Sequence, residues 1–355
     1  MDPVDALERI ATLLERERAG RYKEEAFRKA ADAIRDRPVD ELRELAAQGH
    51  LGDLPGIGSS TARVIAQALD GEVPEYLARL EAEAAPDAGP GAPIRAALQG
   101  DLHLHSNWSD GGATIEAMAR KAADLGHRYM ALTDHSPSLS IAHGLDPERL
   151  ETQLELVAKL NEELAPFRIL KGIEVDILDD GRLDQDDDLL AELDVVVASV
   201  HSKLRMSEQP MTDRMVAAMA NPNSDILGHC TGRMVLGKGR PESTFDADLV
   251  FGVCKHFDKA VEINCRPERL DPPMRLLEQV VATGCKVSID SDAHAVGQLE
   301  WQPYGCARAA EAGVPPDDIV NAWPVDRLLE WTASHAGREF SRRKRRARHL
   351  EVRYH

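Results

Sequence analysis

Seven short segments constrain this chain more than anything else in it: DLHLHSNWSDG (101–111), LTDHS (132–136), GIEVD (172–176), SVHS (199–202), LGHCTGR (227–233), EINC (262–265) and SIDSDAH (288–294). Six of the seven place a His, Asp or Glu directly after, or inside the end of, an apolar β-type run. A polar group at the end of a buried strand is costly unless something satisfies it. Repeated at strand after strand, the pattern suits a barrel of parallel strands whose C-terminal ends point side chains into one cleft. Nine of these side chains are metal-ligand candidates: His103, His105, Asp110, His135, Glu174, His201, His229, Asp292 and His294. Imidazole and carboxylate without cysteine pairs form a donor set for several hard or borderline divalent ions. A cleft with several such ions points to hydrolysis at phosphorus or at a carbonyl.

The spacing supports the grouping. In a strand, residues i and i+2 point the same way, so His103 and His105 can chelate one ion. Asp110 follows past a Trp, beside Gly111-Gly112, in a loop that can fold back over the site. His-x-His alone is a common surface coincidence, and Asp134-His135 alone could be a helix cap beside a structural histidine. Glu174, at the end of ILKGIEV, is harder to dismiss, because it would be a carboxylate inside a buried strand. His201 after VVVAS, His229 after DILG, and Asp292 with His294 after VSIDS repeat the pattern. Nine ligands exceed the needs of one ion and suit two or three, particularly with a bridging carboxylate.

Around these segments the chain reads as two modules. Residues 1–83 are expected to be all-helical, with Leu7, Ile10, Leu13 and Leu14 on one face, Ala26, Phe27, Ala30 and Ala31 on another, then Val39, Leu42 and Leu45. LGDLPGIGSSTARVIAQAL (51–69) reads as a Pro-Gly-x-Gly hairpin followed by a helix capped by Ser59 or Ser60. Residues 84–97 are rich in Ala, Pro and Gly and read as a linker. From 98 to 336 strand and helix patterns alternate. Strands are expected at 100–105, 128–133, 168–175, 194–200, 224–229, 260–264 and 286–290, and helices at 114–125, 147–164, 212–220, 246–256 and 274–283. That alternation fits an α/β barrel or a doubly wound sheet, and ligands at so many strand ends favour the barrel.

Charge and cysteine usage narrow the setting. Forty-three basic against 61 acidic residues give a net charge of −18, which argues against generic polyanion binding, although ligand carboxylates would be offset by bound cations. Arg338, Arg342, Arg343, Lys344, Arg345, Arg346 and Arg348 crowd a basic tail (337–355), read as a solvated end. Five cysteines with no CxxC pair suggest reduced thiols, with Cys230 a buried one. No signal peptide or membrane-length apolar run is present, so a soluble, cytoplasmic protein is expected.

These segments resemble the PHP (polymerase and histidinol phosphatase) phosphoesterase family over residues 100–333, through the distal NAWPVDRLLEW. The likeness is strongest to the PHP domain of bacterial and archaeal family X DNA polymerases. It implies a distorted seven-stranded barrel around three divalent ions (Mn²⁺, Zn²⁺ or Fe²⁺). One ion would take His103, His105, Glu174 and Asp292; a second would take Glu174 as bridge, with His201 and His229; a third would take Asp110, His135 and His294. The implied activity is hydrolysis of DNA phosphodiesters or 3′-terminal phosphates, as a 3′-5′ exonuclease acting in DNA repair, with His103, His105, Glu174 and Arg233 as catalytic candidates. A histidinol-phosphatase-type activity on small molecules, or DNA binding without catalysis, is the alternative. Lys203, Arg205, Arg233 and Arg269 are candidates to clamp phosphate, for which a guanidinium fork is suited.

The helical module resembles the small DNA-binding domain of the same polymerases, in YKEEAFRKAA and LPGIG. Gly56, Ile57, Gly58 and Ser60 are then the expected DNA contacts, offering backbone N–H groups to a phosphate at a gapped, nicked or recessed end. Val64 stands where lyase members carry a nucleophilic lysine, and no polymerase palm separates the modules. Lyase and polymerase activities are therefore not expected.

Overall fold

A computed structural model describes residues 1–18, 21–83 and 87–335; the basic tail lies outside the described residues. The chain divides into two units, Met1–Pro86 with Val296–Glu300, and Asp87–Ala295 with Trp301 onward. Among the described residues no helix is long and apolar enough to cross a membrane.

The first unit holds helices α1 (Pro3–Arg16), α2 (Arg21–Ile34), α3 (Val39–Gln48), α4 (Ser59–Leu69) and α5 (Glu75–Ala82). The Asp2 side chain caps α1 by accepting from Val4 N at 2.8 Å, with Pro3 at the position where no N–H is needed. Leu7, Ile10, Leu13, Phe27, Ile65 and Leu77 meet in one apolar cluster. On α3 only Leu42 is fully buried; Val39, at the first helical position, is 45% exposed. The cap of α4 is Gly58, and neither Ser59 nor Ser60 serves, because the pairing is made from the other side. Gly58 N donates to Thr61 Oγ1 at 2.9 Å, and that hydroxyl donates back to Gly58 O at 3.0 Å.

The second unit is a barrel of seven parallel strands in sequence order: β1 (Gly100–Asp101), β2 (Tyr129–Leu132), β3 (Arg168–Asp176), β4 (Val195–Ser199), β5 (Ile226–Leu227), β6 (Ala260–Asn264) and β7 (Lys286–Asp290). Residues just past β1 close the ring. Leu104 O accepts from Thr133 N at 2.9 Å on one side, while on the other Asp292 N donates to His103 O at 2.9 Å and His105 N to Ala293 O at 2.8 Å. The barrel is distorted because β1 and β5 are only two residues long each.

Helices α6 (Ala92–Ala97), α7 (Ile115–Asp124), α8 (Pro147–Glu163), α9 (Asp187–Leu190), α10 (Glu208–Ala220), α11 (Ala247–His256), α12 (Met274–Thr283), α13 (Gln302–Glu311) and α14 (Val325–Ser334) complete the unit. Helix α6 lies within the stretch read as a linker: its Pro93 sits in the first turn, where the ring favours helix rather than breaking it. Helices α13 and α14 extend the barrel beyond the expected elements. The fit of α13 depends on smallness, since a Cβ on Gly305 would lie 2.4 Å from Cys265 Sγ and 2.7 Å from Ile289.

Candidate functional site

Glu174 is the centre of the site. It lies on β3, 1% exposed, and its two carboxylate oxygens face five imidazoles. Oε1 is 2.9 Å from His229 Nε2, 3.2 Å from His201 Nε2 and 3.3 Å from His103 Nε2. Oε2 is 2.9 Å from His135 Nδ1 and 3.6 Å from His105 Nε2. Asp292 Oδ1 lies 3.6 Å from His105 Nε2, and Asp110 Oδ1 bridges His294 at 3.3 Å and His135 at 3.4 Å. All nine sequence-identified ligand candidates therefore share one cleft of about 350 Å³, or its immediate floor.

Four subsets bring donor atoms within 4.8 Å of one another: His105, Asp110, His135 and His294; His103, Glu174 and His229; His103, His105 and Asp292; and His135, Glu174 and His201. The grouping is looser than three separate ligand sets, with His103, His105, His135 and Glu174 each belonging to two clusters. The donor chemistry fits divalent ions. Both ring nitrogens of His105 and of His201, Nε2 of His103 and Oε2 of Glu174 are buried without a hydrogen-bond partner. Buried polar atoms left in that state are rare and costly, and a coordinated cation satisfies them. No thiol joins them: Cys230 Sγ faces Asp271 Oδ1 at 3.7 Å, and burial pushes its pKa well above the usual thiol range.

Charge in the cleft is balanced by proximity. Burial alone would raise the Glu174 pKa, but His201, His103 and His135 hold it well below the ordinary carboxylate value. Burial likewise works against a charged His135, yet Glu174 and Asp110 raise its pKa to about 10. Burial, with His294 and His135 alongside, drives His105 well below the ordinary histidine value. Protonated imidazoles thus supply the positive charge that the carboxylates require, and an entering cation would displace those protons.

Behind the ligands stands a set of carboxylates that the sequence reading did not count among the ligand candidates. Glu262 on β6 is fully buried, with Oε1 2.6 Å from His103 Nδ1 and Oε2 accepting from His229 N at 2.6 Å and Asn264 Nδ2 at 3.2 Å. Such a bond fixes the His103 tautomer with Nε2 free to face the cleft. Asp176 accepts from His201 N at 3.1 Å. Asp134, next to His135, accepts from Ser106 N at 2.8 Å, Ser106 Oγ at 2.6 Å and Gln153 Nε2 at 2.7 Å, which orders the loop between His105 and Asp110. Glu262 carried the same signal as Glu174, an acid within an apolar strand, in the EINC segment.

The expected phosphate clamps divide. Among the described residues, Arg269 lines the cleft but Lys203, Arg205 and Arg233 do not. Arg233 is a correction: its Nε donates to Arg269 O at 2.9 Å, Nη2 donates to Leu270 O, and Nη1 lies 3.5 Å from Glu242. It braces the loop that carries Arg269. Lys203 is exposed and paired with Asp179, and Arg205 is exposed. Arg266, missed from sequence, lines the cleft instead, with Nη1 3.0 Å from His294 Nδ1 and 3.3 Å from Asp292 Oδ1.

The helical unit has its own cavity, of about 810 Å³, lined by Gly58, Ser60, Lys23, Arg63 and Arg79 among others. Gly56 adopts φ +86°, which a β-carbon would strain. Gly58 has no such need: a Cβ there would meet nothing within 4 Å, so the fold does not require glycine at that position. Ile57 is buried and acts as an anchor for the hairpin. Val64 is buried and lines the same cavity.

Comparison with known proteins covers both units. The profile of the PHP domain matches residues 101–264 and that of a helix-hairpin-helix domain, HHH_8, matches residues 1–73. The DNA polymerase/3'-5' exonuclease PolX of Bacillus subtilis is 40% identical over 225 residues, 63% of this chain. The chain spans only 39% of that relative's length. A "Probable phosphatase" of Thermoanaerobacter sp. is 30% identical over 246 residues, 65% of this chain and 93% of that protein. Among solved structures, the histidinol phosphate phosphatase of Lactococcus lactis, complexed with zinc, L-histidinol and phosphate, is similar with a TM-score of 0.42 at 17% identity, covering 61% of this chain and 94% of that one.

Proposed function

The chain belongs to the PHP family of phosphoesterases, with a helix-hairpin-helix domain at its N-terminal side, and we propose that it hydrolyses DNA phosphodiesters or 3′-terminal phosphates at chain ends, as a 3′-5′ exonuclease of DNA repair. The observation that carries this reading is the convergence of nine ligand-type side chains, Glu174 central among them, on one cleft, in a chain that also carries a glycine hairpin and a basic cavity. The nine would hold up to three divalent ions, Mn²⁺, Zn²⁺ or Fe²⁺, which when bound supply Lewis acidity toward phosphorus and activate water at neutral pH. Glu174 holds the imidazoles in register, Glu262 orients His103, and Arg266 with Arg269 receives the phosphate. Gly56, Ile57, Gly58 and Ser60, with Lys23, Arg63 and Arg79, supply DNA affinity; Val64 offers no amine for lyase chemistry.

A second reading, hydrolysis of a small phosphate ester, is favoured by the phosphatase relatives that match almost over their full length. Initial rates with Mn²⁺ on a 3′-recessed oligonucleotide and on p-nitrophenyl phosphate separate the two. The DNA reading expects kcat/KM at least about a hundredfold higher on DNA, roughly 3 kcal/mol of added transition-state binding. A preference for the small ester overturns it in favour of the second.

A further inference from the structure

The mouth of the cleft is chemically unlike its floor. The buried lining is imidazole and carboxylate with the guanidinium groups of Arg266 and Arg269, whereas Leu139, Ile141 and Met234, beside the exposed Asp110, line the cleft nearer to water. Ile141 is 90% exposed, and Val235 and Leu236 beside Met234 are 48% and 52% exposed. One aliphatic side chain in water needs no explanation; several around a charged cleft mark a binding surface.

Both lips are held in place by backbone bonds. On one, Ala142 N donates to Leu139 O at 3.0 Å and Leu145 N to His135 O at 2.7 Å, which ties the turn directly to a ligand candidate. On the other, Met234 and Arg240 exchange bonds of 2.9 and 2.8 Å, and Val235 N donates to Glu268 O at 2.6 Å. The second lip is therefore pinned to the loop between Arg266 and Arg269. Ile141 and Met234, fixed there and left partly or wholly in water, are positioned to meet something apolar that arrives with an anion.

We propose that these lips form the subsite for the terminal nucleobase of a DNA strand, with the base face against Ile141 and Met234 and its phosphate at Arg266 and Arg269. The inference rests on the DNA-end reading above. A terminal nucleotide has the polarity the cleft shows, an anionic phosphodiester at one end and a flat, largely apolar ring face at the other. The cleft, at about 350 Å³, falls within the range of ligand sites (roughly 300–1,000 Å³) and has room for one terminal nucleotide.

The test compares kcat/KM on a single-stranded oligonucleotide ending 3′ in thymidine with the same oligonucleotide ending in a tetrahydrofuran abasic residue, both with Mn²⁺. Wild type should prefer the base-bearing end by about tenfold, in the range contributed by contact with one base. The double variant Ile141→Ser, Met234→Ser should bring that ratio to within about twofold of one, with the change in KM. Ile141→Phe, an exposed substitution that enlarges the flat apolar surface, should raise the ratio above the wild-type value. A wild-type ratio near one, or variants that keep the wild-type ratio at equal metal content, would overturn the subsite while leaving the DNA-end reading intact. Hydrolysis of p-nitrophenyl phosphate with neither oligonucleotide cut would sink that reading, and the subsite with it.

Discussion

The two ends of the barrel are built from the same strands and could hardly differ more. On β3 and β4, Leu170, Val195 and Val197 join Trp323, Leu328 and Trp331 in one apolar cluster, while Ile173, Val175, Val196 and Ala198 pack in the other. By strand alternation Glu174, Asp176 and Ser199 continue the face of Leu170 and Val197. On that face β3 runs from Leu170 to Glu174 and Asp176, and β4 from Val195 and Val197 to Ser199. The separation places dry packing at one end, where it stabilises, and leaves the other end free to concentrate groups that would be costly anywhere else in the core.

The largest effect that would break this contrast is at the polar end. Glu174→Ala should remove most of the bound metal and lower phosphoesterase kcat by about a thousandfold or more, since ions of this kind contribute several kcal/mol to the transition state. Metal analysis by mass spectrometry showing a full complement in that variant would refute the bridging role.

At the dry end the cost should appear as stability. Trp331 is 6% exposed, donates through Nε1 to Asp258 O at 2.8 Å and meets Trp323 edge-on at 5.9 Å. Trp331→Ala should lose about 3–5 kcal/mol of unfolding free energy, with metal content retained in the fraction still folded. Denaturant titration showing a loss under 1 kcal/mol (a surface-like response) would mean that this tryptophan cluster is not core.

Glu262 lies between the two regimes, and Glu262→Gln tests whether it serves the ligands or the packing. The amide keeps the shape but has one acceptor oxygen for donors that now use two. Metal affinity should fall by about 10–100-fold at nearly unchanged thermal stability. A large drop in Tm with unaltered metal affinity would assign Glu262 to the fold instead.

The smallest effect concerns His127, just ahead of β2 at the dry end. Burial, with Arg95 nearby, lowers its pKa from the ordinary 6.5 to about 4. Between those values the unfolded chain binds a proton that the folded barrel excludes. Its contribution is therefore complete above pH 6.5 and declines as the pH falls toward 4. His127→Leu should flatten the stability–pH curve in that window; an unchanged slope would show that other groups set it.

The contrast also explains what was legible in the sequence. Glu174, His201 and Asp292 could be found because a polar residue closing an apolar run is anomalous, and the alternation of strand and helix followed from ordinary periodicity. Glu262 shows the same anomaly, but pattern alone does not tell a group that meets the cleft from one that meets the imidazole behind it. Arg233 and Arg266 lie in loops, and a long side chain there takes its direction from tertiary neighbours such as Arg269 O. Ser59 and Ser60 looked like caps because the competing bond from Thr61 comes from within the helix. Helix α13 was hidden by its composition, since QPYGCARAAE packs through Gly, Cys and Ala and has almost no large apolar stripe.

The central claim is that the polar end is a centre for several divalent ions. Anomalous diffraction from crystals of the full chain grown with Mn²⁺, collected on both sides of the manganese edge, tests it directly. The account predicts three peaks in the cleft, one of them shared by Glu174 with His201 and His229, and all within coordination distance of the nine side chains. An empty cleft in crystals whose dissolved protein still hydrolyses DNA would contradict it.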